Sequence, residues 1–254
     1  MGEALLGGIL AGGDPGSSDR SRISVCEPVA ARREELASAY GVAVSPEPVA
    51  CRDAIIAVKP QHVRDAVSAL AEAGVRRILS IAAGVTTTAV QDAAGPDVVV
   101  VRAMPNTPAL VGEGASAISP GATAGPDDLE WAQGLLETVG VVVRVAESDL
   151  DAVTGLSGSG PAYVFLMAEA LVEAGVLNGL TRDVAGVLAA QTLLGAATLL
   201  TSSDRDPAAL RADVTSPGGT TAAGLQVLED RGVRAALLRC VSVAAERSRE
   251  LGAG

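Results

Sequence analysis

Ser216-Pro-Gly-Gly-Thr-Thr221 lies between two helix-like stretches, Asp206 to Val214 and Ala222 to Arg231. Its two glycines let the backbone turn tightly and bring bare N–H groups close to a ligand, while its two threonines open the next helix, whose unpaired N–H groups favour an anion. A small carboxylate suits such a loop. The plainer reading makes Thr221 a helix N-cap and Ser216 a capped turn, because short Gly/Ser/Pro runs are far more often turns than sites. Lys59 is the only lysine in a chain that otherwise takes its positive charge from arginine, and it follows directly on an apolar run. His62, the only histidine, falls early in a helix and reads as a surface or helix-start residue.

The elements that must position these residues come in two kinds. From Ile23 to about Val145, short β-branched runs (Ile23 to Cys26, Ala54 to Val58, Ile78 to Ile81, Val98 to Arg102, Ala115 to Ile118, Val141 to Val145) alternate with helical stretches (Ala31 to Tyr40, Gln61 to Ala73, Thr87 to Ala93, Asp127 to Thr138). That alternation predicts a mostly parallel sheet covered by helices, with ligands at the carboxyl ends of the strands. Lys59-Pro60, Ala82 to Gly84 and Met104 to Thr107 each follow a predicted strand and so line one crevice. After Ser148 the pattern is helical throughout: Pro161 to Ala174, Thr181 to Leu200, Pro207 to Val214, Thr221 to Arg231 and Val233 to Leu251. The second of these is apolar almost all round, which a helix in water does not sustain, so a second copy of the chain is expected to cover it. The loop Gly12 to Asp19 reads as a flexible turn.

Composition narrows the function. A length of 254 residues holds two domains, and a net charge of −11 without any Lys/Arg cluster argues against nucleic acid or anionic membrane as a partner. Cys26, Cys51 and Cys240 are odd in number, far apart and without metal-ligand spacing, as expected of buried thiols in a reducing cytoplasm. The start lacks the basic residues of a secretory signal, and no apolar run is read as reaching the roughly 18 residues of a membrane span, so a soluble cytoplasmic protein is expected. Aromatic residues are 2 % of the chain, which leaves the core to Ala, Val, Leu and Ile.

Five segments carry a family resemblance: Ala57-Val-Lys-Pro60, Ser80-Ile-Ala-Ala-Gly84, Arg102-Ala-Met-Pro-Asn-Thr-Pro108, Leu156-Ser-Gly-Ser-Gly-Pro-Ala-Tyr-Val164, and the stretch from Pro207 to Glu229 that contains the Ser216 loop. Together, in this order and spacing, they resemble Δ1-pyrroline-5-carboxylate reductase, the enzyme of the last step of proline biosynthesis. The resemblance implies an α/β dinucleotide-binding (Rossmann-like) domain over residues 1–148 and an all-α substrate and dimerisation domain over 149–254. It further implies a homodimer through interlocked C-terminal helices, with dimers often assembled into larger rings. The implied reaction is NADPH- or NADH-dependent hydride addition to the C=N bond of a cyclic imino acid. By carry-over, Thr221 hydrogen-bonds the ring nitrogen, and Ser216 with the N–H groups of Gly218, Gly219 and Thr220 holds the carboxylate. Gly2, Glu27, Ala57, Val58, Lys59, Pro60, Ala82, Ala83, Gly84, Met104, Pro105 and Asn106 are the implied cofactor residues. Glu27 at the end of a strand favours NADH through the adenosine ribose, whereas Arg32 and Arg33 one helical turn on could neutralise a 2′-phosphate, and both cofactors stay open.

Met1-Gly2-Glu3-Ala4 matches the end of the family's G-x-G-x-M-G turn, with Gly2 as its third glycine; the first strand and first two glycines are absent. Losing about five apolar residues at the centre of a sheet forfeits roughly 1.5–3 kcal/mol for each, so translation is expected to start upstream. Two rival readings accompany this one: a hydroxy-acid dehydrogenase, which would need a catalytic lysine the helical domain lacks, and a non-catalytic dimeric scaffold that has lost dinucleotide binding. A serine hydrolase is disfavoured because Gly155-Leu-Ser-Gly-Ser-Gly160 fails the G-x-S-x-G pattern at Ser159 and the lone His62 belongs to the other domain.

Overall fold

A computed structural model of the chain describes residues 1–12 and 20–252. The turn expected at Gly12 to Asp19 falls outside them apart from Gly12. Two compact units emerge: Met1–Ser159 with the chain from Ser242 onward, and Gly160–Val241. This division differs from the expected boundary after residue 148, because Leu150 is buried in the first unit and Asp151 there accepts a 2.6 Å hydrogen bond from Ser248 Oγ near the chain end.

The first unit opens with α1 (Gly2–Gly12), followed by β1 (Ser24–Cys26), α2 (Ala30–Tyr40), β2 (Ala43–Ser45), β3 (Asp53–Ile56), α3 (Val63–Glu72), β4 (Arg77–Ser80), α4 (Thr87–Ala94), β5 (Val99–Met104), β6 (Gly114–Pro120), α5 (Pro126–Glu137) and β7 (Gly140–Arg144). Strands β3 to β7 form one sheet in sequence order, parallel except where β6 turns back antiparallel to β5. That exception has a simple cause: the link from Met104 to Gly114 is too short for the crossover a parallel pair needs.

Successive residues of a strand face opposite sides, and here both sides are buried, which is why the strands read as unbroken apolar runs. Ile78 and Val100 pack with Ile56, Val67 and Val90 under α3 and α4. Their neighbours Leu79 and Val101 pack with Leu5, Ile118, Ala132 and Leu136 under α1 and α5. Leu5 at 1 % exposure contributes about 1.5–3 kcal/mol by burial, while Leu6 next to it enters a separate cluster with Leu36 and Val42.

The sheet is not continuous. Among the described residues, β1 and β2 form their own parallel pair and share no ladder with β3 to β7, and α1 contributes to the cores of both. The single mostly parallel sheet expected from the sequence is therefore two sheets.

After β7 come a one-turn helix, α6 (Leu150–Val153), and a π turn over Thr154–Gly158. The second unit holds α7 (Gly160–Leu177), α8 (Arg182–Ser202), α9 (Pro207–Asp213), α10 (Thr220–Asp230) and the start of α11 (Val233–Gly252), which ends in the first unit. Thr181 caps α8 and Asp206 caps α9, accepting from the N–H of Ala209 at 2.8 Å. At Gly175 a Cβ would lie 2.9 Å from that of Ala185, so the glycine lets α7 and α8 pack closely. Their outward faces are apolar and exposed: Phe165 at 64 %, Leu177 at 87 %, Val187 at 70 %. By length and composition, Glu147–Leu177 and α8 are also long and apolar enough to cross a membrane. This corrects the sequence reading, which overlooked that no charge interrupts Val184 to Ser203.

Candidate active site

In the first unit the expected cofactor residues gather at strand ends. Glu27 follows β1; Ala57 to Pro60 follow β3; Ala82 to Gly84 follow β4; Met104 closes β5 and leads into Pro105 and Asn106. Since β3, β4 and β5 are parallel, their three loops lie on one edge of the sheet. Gly2 starts α1, and a Cβ on it would stand 2.8 Å from that of Ala57. Only a residue without a side chain lets the N-terminus of α1 come that close to the end of β3. The unpaired N–H groups of the first helical turn and the positive end of the helix dipole are then beside the loop that follows β3, an arrangement favourable to an anion. Gly84 has φ of +75°, a left-handed conformation natural to glycine.

The groups around Glu27 bear on the nicotinamide cofactor. Glu27 Oε1 accepts from the N–H of Val29 at 2.9 Å, and Arg33 Nη1 donates to the carbonyls of Glu27 and Pro28 at 2.7 and 2.8 Å. Arg32 is held by the carboxylates of Glu3 and Glu35. Of the two arginines the sequence singled out, one braces the β1–α2 loop and the other is already neutralised. Glu3 accepts a 3.0 Å hydrogen bond from Tyr40 as well, and that bond, with those of Arg32, holds its carboxyl below the ordinary value despite some desolvation.

Two buried side chains tie the crevice loops together. Arg102 (7 % exposed), in β5 two residues before its end, donates to Glu147 Oε1 at 3.0 Å. The same carboxylate accepts from the N–H of Thr87 at 2.7 Å and from Thr87 Oγ1 at 2.6 Å, so it occupies the N-terminus of α4. The N-terminus of α4 is therefore taken by a side chain of the protein itself. Asn106 (8 % exposed) donates through Nδ2 to the carbonyl of Ser157 at 3.0 Å and accepts through Oδ1 from the N–H of Ala115 at 2.8 Å. Sequence reasoning found Asn106 through its motif but missed Glu147, which carries no local signal because its partners are 45 and 60 residues away.

The expected substrate residues lie together in the second unit. Gly218 has φ of +70°, and Gly219 is the N-cap of α10 in extended conformation, with its N–H donated to the carbonyl of Ser216 at 3.0 Å. Thr220 and Thr221 are the first helical residues and both are exposed, as is Ser216. The cap position thus belongs to Gly219, and the plainer reading of Thr221 as N-cap does not hold. Since Gly219 has committed its N–H within the loop, the groups open to an anion are the N–H groups of the helix's first turn, that of Gly218 and the hydroxyls. A Cβ on Gly219 would run into Ser216 Oγ and reach 3.1 Å from the Ser216 carbonyl oxygen. Gly219→Ala is therefore expected to displace Ser216 and raise the KM for a carboxylate substrate about tenfold or more. Direct titration should find cofactor affinity unchanged.

A parallel-sheet unit with loops gathered at its strand ends, followed in the chain by an all-helical unit, is the plan of a two-domain nicotinamide-dependent oxidoreductase. Residues 147–251 match the family described as pyrroline-5-carboxylate reductase dimerisation, and residues 1–84 match one described as NADP oxidoreductase coenzyme F420-dependent. A pyrroline-5-carboxylate reductase of Synechocystis is 46 % identical over 258 residues, covering 99 % of this chain and 95 % of that protein. The chain belongs to the pyrroline-5-carboxylate reductases. A solved member from Coxiella burnetii matches with a TM-score of 0.91 at 32 % identity, over 98 % of this chain and 94 % of that one. One from Plasmodium falciparum with NADP bound matches with a TM-score of 0.85 at 28 % identity, over 99 % and 94 %. The dimerisation match agrees with the apolar faces of α7 and α8, which fit a homodimer.

Proposed function

We propose that the chain reduces 1-pyrroline-5-carboxylate to L-proline with NAD(P)H. The observation that carries this reading is the Ser216–Thr221 loop, an anion-binding helix start with a hydroxyl on its second helical residue. When bound, the nicotinamide would supply a hydride for the imine carbon, the C=N electron pair passing to the ring nitrogen, which would take a proton. The protein's part is binding and orientation. Ser216 and the loop's N–H groups hold the substrate carboxylate, and the Thr221 hydroxyl hydrogen-bonds the ring nitrogen, orients the imine and relays the proton. Gly2 and the loops at Ala57 to Pro60, Ala82 to Gly84 and Met104 to Pro105 would hold the dinucleotide, with Glu27 toward the adenosine ribose and Asn106 fixing the last of these loops.

The chain works as a homodimer, with dimers assembled into a larger ring, in the cytoplasm; the three cysteines are free, as suits a reducing compartment, although Cys26 is exposed and Cys51 and Cys240 are half-buried where buried thiols were expected. The test is the oxidation of NADH and NADPH followed by absorbance with pyrroline-5-carboxylate present. Turnover dependent on the imine is expected, and its absence with both cofactors would favour the non-catalytic scaffold.

A further inference from the structure

The segment Glu147–Gly158 belongs by sequence to the helical half, since the dimerisation match begins at residue 147. By packing it belongs to the first unit, and it meets each of two crevice loops through a buried side chain. Glu147 binds Thr87, three residues after Gly84, and Arg102, two residues before Met104. The Ser157 carbonyl accepts from Asn106. At Gly158 a Cβ would lie 2.7 Å from Met104 Cε, so the absence of a side chain makes room for that residue. The π turn over Thr154–Gly158 closes with the N–H of Ser159 on the carbonyl of Thr154 at 2.8 Å. Single π turns inside helices are rare and occur mainly at functional sites.

We propose that Glu147–Gly158 is a brace that positions the Ala82–Gly84 and Met104–Asn106 loops for the nicotinamide cofactor, and that Asn106 is a positioning residue. The inference rests on the reading of these loops as the cofactor crevice. Asn106 has little amide left for a ligand: its carbonyl oxygen and one N–H are spent on protein backbone, and it is nearly buried. Its effect on cofactor affinity is indirect, through the place of Met104 and Pro105. The brace also explains why the N-terminus of α1, and not that of α4, is open to a phosphate: Glu147 already fills the latter.

The test compares Asn106→Asp and Asn106→Ala with the parent full-length chain. NADPH affinity is read by the fluorescence of the bound cofactor, and folding by circular dichroism and thermal melting. Asp keeps the acceptor for Ala115 but sets a carboxylate oxygen against the Ser157 carbonyl. The expected result is a rise in Kd of tenfold or more with a native spectrum. Ala57→Glu, which puts a charge beside the start of α1, serves as the control for the crevice itself. Unchanged Kd in the Asn106 variants with weakened binding in Ala57→Glu would overturn the brace and leave the crevice standing. Unchanged Kd in all three would overturn the crevice and the brace together. Should both Asn106 variants misfold, Gly158→Val, which crowds Met104 and leaves the Asn106 side chain itself in place, is expected to raise Kd several-fold; an unchanged Kd there would likewise overturn the brace.

Discussion

Thr221→Ala is expected to lower turnover of pyrroline-5-carboxylate by tenfold or more, with the fold and the affinity for NAD(P)H intact. The structural cost of the change is small. Gly219, not Thr221, caps α10, and Thr221 is exposed on the second helical position, where alanine is the better helix former by about half a kcal/mol. Whatever activity is lost must then come from the hydroxyl. A tenfold loss corresponds to about 1.4 kcal/mol of transition-state stabilisation, a modest demand for a group in the role proposed for Thr221, a hydrogen bond to the atom gaining a proton. Thr221→Ser should retain most of the rate. Steady-state kinetics with helical content monitored decides the matter; a variant as active as the parent would reduce Thr221 to a residue of the helix start.

Glu147→Ala should cost about 3 kcal/mol of stability, the usual loss when one partner of a largely buried ion pair is removed. The carboxylate serves three donors, and its removal leaves the Arg102 guanidinium, the N–H of Thr87 and the Thr87 hydroxyl without their acceptor in a buried place. The melting temperature should fall by roughly 6–12 °C. The same group gives stability a dependence on pH. Burial alone would raise the Glu147 pKa, but the hydrogen bonds from Thr87 and Arg102 together outweigh it and hold the carboxyl below its ordinary value of 4.5. A carboxyl with a lowered pKa in the folded state stabilises fully above the unfolded value and loses that contribution as pH falls through the folded one. Glu147→Gln should therefore approach the parent in stability as pH is lowered from about 6 to about 3. Urea unfolding across that range checks this. A gap that stays constant down to the lowest pH would show that the charge of Glu147 does not stabilise the fold.

Much of the architecture was legible because it rests on local pattern. The runs at Ile78 to Ile81 and Val98 to Arg102 became β4 and β5 because a doubly covered parallel sheet needs unbroken apolar strands. The helix from Thr181 was readable from its long, almost wholly apolar run. Ala43–Ser45 was not, since three residues without alternation become a strand only by pairing with β1. The boundary after residue 148 was drawn where the strand pattern stops. Leu150, Asp151 and Ser157 nonetheless pack with the first unit, through contacts to residues far away in sequence.

The sequence by itself determined what short-range chemistry controls: alternating strands and helices followed by helices alone, glycines where the chain turns left-handed at Gly84 and Gly218, and a threonine-opened helix after the Ser216 loop. Only the tertiary structure decided which of those polar groups remain open to a ligand. Gly219 spends its N–H on Ser216, Asn106 its amide on Ser157 and Ala115, and Glu147 closes the N-terminus of α4 while that of α1 meets the end of β3. The reason is physical: a propensity belongs to a residue and its neighbours, whereas a buried donor takes whichever acceptor the packed chain brings within reach.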